Sequence, residues 1–199
     1  MPDPLSAGQL RAVAQLHRRA FPGFFLTRMG PAFLRAYYRL ILEDEGGIFL
    51  SLGDGENPRG FAAGFVNPER FYAGMRAARG RFLGPVILAL LRRPVLIGRL
   101  MGRVLSVEAG QRRGGDETAE LASLAVDPQA RRHGAGRELV EAFCYQARAR
   151  GARRVELSTD SENNKAVLAF YRGLEFRVIE EFDDGGGRWK LRMERVLEP

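Results

Sequence analysis

The chain has 199 residues but only one cysteine and two histidines. A single cysteine excludes an intrachain disulfide, so the framework is not that of a stapled secreted domain. Cys144 follows Phe143 in a helix-periodic run and reads as core. With no histidine partner in view, it is a poor candidate for a nucleophile. His17 and His133 are the only histidines, so neither a histidine-built metal site nor a Ser-His-Asp triad is expected, and the reading includes no metal. Long apolar runs are missing too. The longest uninterrupted one is about ten residues, whereas a membrane span needs about twenty. Met1 to Gln9 lacks the basic start and apolar centre of a secretory signal, which predicts a cytoplasmic protein. No internal repeat and no linker interrupt the chain. A single domain over residues 1–199 is expected, long enough to bury a sizeable core.

Acidic residues are absent where arginine is densest. The net charge is +7, and the stretch from Arg70 to Val107 holds eight arginines with no Asp or Glu. The basic character therefore belongs to one segment. Phe82 to Leu91 is apolar, and Arg92, Arg99 and Arg103 follow at i, i+7 and i+11, a spacing that lets them share one helical face. Three readings fit: helices packed on the domain with a solvated arginine face, peripheral contact with an anionic membrane through residues 82–105, or a basic wall beside an anionic substrate. Nucleic acid is not expected as a partner, because few aromatics interleave with the arginines.

Against these absences stands one informative stretch. Leu121 to Val126 is short, apolar and strand-compatible. Asp127-Pro128 ends it, since proline cannot donate to a ladder. Gln129-Ala130-Arg131-Arg132-His133-Gly134-Ala135-Gly136 follows, and then a helix-periodic run from Glu138 to Phe143. A glycine-rich turn between strand and helix leaves backbone N–H groups pointing outward at the positive end of the helix, where an anion fits. Neither common nucleotide fingerprint is met. Leu139 stands where the third glycine of G-x-G-x-x-G would be, and G-x-x-x-x-G-K-[ST] is absent. Further on, Ala152 to Thr159 reads as a strand, Asp160 to Asn164 as a turn with capping residues, and Lys165 to Arg172 as a helix.

Together these two elements resemble the GNAT superfamily of acyl-CoA-dependent N-acyltransferases. Its first motif, V-x-P-x-x-(R/Q)-x-x-G-x-(G/A), stands here as Val126, Pro128, Arg131, Gly134 and Gly136. Its second, N-x-x-A-x-x-x-Y-x-x-x-G-F, stands as Asn164, Val167, Tyr171, Glu175 and Phe176. Val167 replaces the usual alanine and Glu175 the usual glycine. The resemblance covers roughly Ile48 to Val196. It implies an α/β fold: a central, twisted, mixed sheet flanked by helices. The family's first strand is missing or very short here, and the basic helical insertion falls between the family's third and fourth strands.

The resemblance also implies a chemistry, acetyl transfer from acetyl-CoA to a primary amine. Backbone N–H groups of Arg131, Arg132, His133, Gly134, Ala135 and Gly136 would hold the CoA pyrophosphate. Leu124, Ala125 and Val126 would line the pantetheine arm, with the Leu124 N–H on the thioester carbonyl and Phe170 nearby. Asn164 would either contact the pantetheine or cap its helix. Tyr171 fits the general acid for the leaving thiolate, with a core aromatic as the plain alternative. Glu120 fits the general base, with a solvated strand-end charge as its alternative and Asp116 and Glu117 as rivals. Phe24, Phe25, Tyr37 and Tyr38, with the insertion, would form the acceptor site for a small-molecule or peptide amine. The acceptor itself, and whether the chain is a homodimer, stay open. Two competing readings remain: an acyl-CoA-binding module without catalysis, and a membrane-surface or anionic-ligand binder acting through the basic insertion.

Overall fold

The computed structural model describes residues 5–92, 115–130, 134–184 and 187–198. Helices α1 (Ala7–Ala20), α2 (Phe25–Arg28) and α3 (Pro31–Glu43) come first. Strands β1 (Gly47–Asp54) and β2 (Asn57–Val66) follow, then α4 (Pro68–Ala77) and α5 (Gly80–Arg92). The remainder is β3 (Thr118–Val126), α6 (Ala135–Ala149), β4 (Arg154–Asp160), α7 (Lys165–Arg172), β5 (Arg177–Asp183) and β6 (Trp189–Val196). No strand precedes α1 among the described residues, so the insertion leaves the sheet after the second strand of this chain and returns at its third.

Local chemistry accounts for the boundaries. Ser6 caps α1 in a reciprocal box: its hydroxyl accepts from the Gln9 N–H, and the Gln9 side chain accepts from the Ser6 N–H. Gly30, at φ +90°, turns the chain into α3, where Pro31 supplies a preset first helical residue. Asn67, whose side chain accepts the Arg70 N–H, starts α4 three residues before the sequence reading placed the insertion.

The six strands are ordered β1-β2-β3-β4-β6-β5, and only β3 and β4 run parallel. Each face of the sheet buries an apolar cluster. On one face, α1, α3, α4 and α5 pack on Phe61, Ala63, Phe65 and Ala125. On the other, α6 and α7 cover Ala62, Leu121, Val155, Leu157 and Met193. Cys144 is buried in this second cluster, as its sequence setting suggests, and burial pushes its thiol up to about 11.

Two irregularities in β3 shape the site. First, Ala63 pairs with Ser123 but Gly64 pairs with Leu121, so Ala122 is an extra residue in the strand. It forms a bulge, and the side-chain alternation reverses there: Ala119 and Leu121 join one cluster before it, Ala125 the other after it. Gly64 is required opposite the bulge, because a Cβ there would overlap the Glu120 carbonyl oxygen. Second, the β3–β4 ladder holds only three rungs, Thr118–Arg154, Ala119–Val155 and Glu120–Glu156. Beyond Glu120 the two strands part, while β4 continues to Asp160 paired with β6.

Candidate active site

The parting of β3 from β4 opens a gap with a closed end at the Glu120–Glu156 rung. The Asp127 N–H donates to the Arg59 carbonyl on the β2 side. Period-2 alternation then turns the backbone groups of Leu124 away from β2 and toward the gap. This is the orientation a carbonyl-polarising donor needs.

At the far end of the strand the glycine turn meets α6. Gly134 takes φ +79°, where only glycine sits without strain, and a Cβ added there would meet nothing within 4 Å. Among the described residues nothing covers the helix start. Gly136 lies against Phe170, whose ring stands 3.3 Å from where a Cβ would be. The two sequence motifs therefore touch through Gly136 and Phe170. Arg131, Arg132 and His133 lie outside the described residues.

Tyr171, on α7, is buried in the second cluster, in edge contact with Phe170 and Phe176. Burial pushes its phenol above the ordinary tyrosine value, so it stays protonated. The turn after its helix passes through Glu175, which takes φ +65° where the family has glycine. The exit keeps a tight turn nonetheless: the N–H groups of Leu174 and Phe176 both donate to the Tyr171 carbonyl. The Glu175 side chain answers Arg195 at 3.3 Å. Asn164 stands at the N-cap position just before α7, but its side chain makes no capping bond. Its amide nitrogen instead donates to Thr159 Oγ1 at 2.7 Å and to the Asp160 carbonyl at 2.8 Å, tying the helix start to β4.

Glu120 is half-buried rather than a solvated strand-end charge. Desolvation is the main influence and pushes its carboxyl up to about 7. Three neighbours modulate this. The Tyr72 hydroxyl donates to Oε1 at 2.9 Å and, with the Arg192 guanidinium, favours the charged form, while the Glu156 carboxylate opposes it. Glu156 is raised as well, chiefly by burial. Of the rival bases, Asp116 accepts from Asn67 at 2.6 Å and Glu117 pairs with Arg153 at 3.0 Å, both at the exposed start of β3.

The aromatic residues expected at the acceptor site divide. Tyr38 is fully buried; its hydroxyl donates to Ser123 Oγ at 3.1 Å and meets His17 Nδ1 at 2.5 Å. Burial holds His17 neutral, its pKa lowered to about 4. Tyr37 is 5 % exposed and also belongs to the core, near enough to Glu120 that the carboxylate helps keep its phenol neutral. Their burial has a simple cause: Phe33, Tyr37 and Ile41 recur at helical spacing, and that stripe is the face α3 buries. Phe25 packs at the edge of the same cluster. Phe24 differs. Its ring lies under Arg188 at 4.8 Å and Lys190 at 5.4 Å, beside the end of β4, where Arg188 pairs with Asp160. Arg19, at the end of α1, pairs with Asp127 just past β3. Residues 19–24 thus run from one side of the gap to the other.

Sequence reading missed Tyr72 and Arg192. Tyr72 lies on the inward stripe of α4, with Phe71 and Met75, and no spacing in the sequence links it to Glu120. Arg192 occupies an alternate position of β6 and faces Glu156 and Glu180, at 4.0 and 3.1 Å.

A family model for the acetyltransferase (GNAT) family matches residues 10–176. The chain belongs to that family and is an acyltransferase. Its fold recurs in solved structures at low sequence identity. The ribosomal-protein-alanine N-acetyltransferase of Brucella melitensis aligns over 96 % of both chains at 16 % identity, with a TM-score of 0.60. An acetyltransferase of Thermus thermophilus aligns over 98 % of this chain and 94 % of its own, at 16 % identity and a TM-score of 0.58. The ribosomal-protein-S18-alanine N-acetyltransferase of Escherichia coli aligns over 98 % and 91 %, at 17 % identity and a TM-score of 0.57. No curated protein matches the chain in sequence. The family uses acetyl-CoA and acts on small-molecule or protein amine acceptors. Among the described residues no group of His, Cys, Asp or Glu is arranged to hold a metal, and no helix is long and apolar enough to cross a membrane.

Proposed function

We propose that this chain transfers the acetyl group of acetyl-CoA to a primary amine by direct attack. The reading rests on one observation: a half-buried carboxylate, Glu120, at the closed end of the gap between β3 and β4. Acetyl-CoA suits the gap, with open backbone at Gly134 for an anion, unpaired strand edge at Leu124 for the pantetheine, and Tyr171 on the helix that follows β4. The acceptor amine arrives as an ammonium. Glu120, with a pKa near 7, is charged in about half the molecules at neutral pH and can take the proton directly or through one water. The amine nitrogen then attacks the thioester carbon while the Leu124 N–H stabilises the developing oxyanion. The new C–N bond forms, the C–S bond breaks, the Tyr171 hydroxyl passes its proton to the leaving sulfur, and the second proton lost by the attacking nitrogen restores the phenol through water. Glu156, in register beside Glu120, adds negative charge where the ammonium docks.

Phe24 and the insertion's Tyr72 are the acceptor-side aromatics in this reading, and the acceptor class is a small-molecule or peptide amine. A module that binds acyl-CoA without turnover would need neither a raised carboxyl at the gap nor a protonated phenol on α7. Calorimetry with acetyl-CoA, beside Gly134→Glu and Tyr171→Phe, tests the assignment. Binding is expected in the wild type, lost with Gly134→Glu, and nearly unchanged with Tyr171→Phe. Turnover of a competent amine should fall about 10²-fold or more with Tyr171→Phe. Unchanged turnover would remove Tyr171 from the role of acid, and absence of binding by the wild type would remove the whole reading.

A further inference from the structure

Helix α5 is apolar on both faces. Its inner face buries Phe82 and Ala89, with the Phe82 ring 5.3 Å from Phe33 of α3. Its outer face carries Leu83, Ile87, Leu88 and Leu91, which are 58, 54, 40 and 77 % exposed. Gly84 is the other outward residue of that stretch. A surface helix normally presents charged or polar residues outward. Here three successive outward turns carry none, and a contiguous apolar patch of this kind marks a contact surface.

Charge identifies the occupant. Arg76, Arg79 and Arg81 precede the apolar stretch, Arg92 and Arg93 follow it, and no acidic residue occurs between Arg70 and Val107. Arg81 pairs with Glu43 of α3 at 2.6 Å and Arg76 also interacts within the fold, so the lipid-facing charge rests on the other arginines of the segment. The segment as a whole stays strongly basic. A second copy set face to face would bring two arginine-rich segments together. A nucleic-acid backbone would gain nothing from four exposed aliphatic side chains. An anionic lipid surface satisfies both features, since its headgroups answer the arginines and its acyl boundary takes the aliphatic face. Thirteen residues make a helix of about 20 Å, too short to cross the hydrocarbon core but suited to lie along it.

We propose that α5 is a membrane-surface helix that docks the enzyme on anionic lipid through Leu83, Ile87, Leu88 and Leu91, flanked by arginines. These side chains lie outside the gap between β3 and β4, so the proposal is independent of the catalytic reading.

Flotation of the full chain with vesicles of phosphatidylcholine, with and without phosphatidylglycerol, tests it. Binding is expected only with phosphatidylglycerol, weakened by salt, and reduced at least about tenfold in the Leu83→Ser, Ile87→Ser, Leu91→Ser triple variant. Equal binding by the triple variant would mean that charge alone acts and would overturn the docking helix. So would a wild-type dimer in light scattering that the triple variant abolishes, with no vesicle binding; that outcome would assign the face to a second copy. A separate readout avoids any fault in folding of the triple variant. Ile87→Trp in a Trp189→Phe background should show a blue-shifted emission quenched by brominated lipid, and an emission unmoved by vesicles would overturn the proposal.

Discussion

On the face that carries Glu120, the sheet has two unlike halves. The β1–β3 half is dry. Phe65 stands in register with Glu120 and stacks on Phe71 of α4 at 3.7 Å, while Phe61 and Tyr38 fill the space behind. The β4–β6–β5 half is ionic. Glu156, Arg192 and Glu180 form one cross-strand chain, Asp160 with Arg188 and Lys190 a second, and Glu194 with Arg154 and Arg177 a third. Glu120 lies on the seam. The dry half removes water and raises its pKa, while Arg192 from the ionic half pulls it back toward the charged form. Desolvation outweighs the pull of Arg192 and the Tyr72 hydrogen bond, and the carboxyl stands raised to about 7. A base needs this balance to exist charged at neutral pH and still accept a proton.

Removing the charge at the seam has the largest expected effect. Glu120→Gln should lower turnover about 10²- to 10⁴-fold. The same change should stabilise the protein in alkaline solution. A carboxyl whose folded pKa is raised favours folding at low pH and loses that contribution as pH rises through about 7. The neutral amide loses nothing, so the variant should exceed the wild type by on the order of 1–3 kcal/mol at pH 8 and approach it only near pH 4, below the ordinary carboxylate value. Thermal melts at the two pH values check this. A wild type whose stability does not fall relative to the variant across pH 7 would show that Glu120 is not desolvated.

Gly64→Ala attacks the dry half next. The added methyl would overlap the Glu120 carbonyl oxygen and stand 2.8 Å from Phe143, both fixed by the sheet and core. Destabilisation of about 3 kcal/mol is expected in urea unfolding, or failure to fold.

Much of the dry half and of the cofactor end was legible in the sequence, because their signals are local. Ser6 announces α1, Gly30-Pro31 announces α3, and Gly134 and Gly136 between a strand and a helix announce the tight turn into α6. What could not be read depends on contacts between distant segments. The bulge at Ala122 leaves no mark in Leu-Ala-Ser-Leu, yet it reverses the alternation and turns Leu124 toward the gap. Tyr72 and Glu120 lie 48 residues apart, and their hydrogen bond requires α4 to fold back over β3. Tyr37 and Tyr38 carry two signals at once: aromatic side chains invite a binding role, while helical periodicity accounts for their burial in the core.

The seam can be tuned from either side, which sharpens the comparison. Tyr72→Phe removes a hydrogen bond to the charged carboxylate from the dry half. Arg192→Gln removes a positive charge from the ionic half. Both changes favour the protonated form, so each should move the rising limb of the kcat/KM profile to higher pH, by up to about one unit. Measured pH profiles with a saturating acyl donor separate this from a general loss of activity. A limb that moves with Tyr72→Phe but not with Arg192→Gln would confine control of the base to the dry half.

The smallest effect is expected deep in the ionic half, at Arg177→Ala. Arg177 is 70 % exposed and shares Glu194 with Arg154, which remains at 3.5 Å after the change. An exposed ion pair contributes little, because water screens it and two long side chains must be held still. Loss of less than about 0.5 kcal/mol in urea unfolding is therefore expected, against several for one methyl at Gly64. The contrast carries a functional consequence. If ion pairs on that face contribute so little to folding, its charge pattern is free to vary without loss of the fold, whereas the apolar packing behind Glu120, the proposed base, is not. A large loss at Arg177 would instead make the ionic face a structural element in its own right, and acceptor recognition would then have to lie in Phe24 and the residues around it.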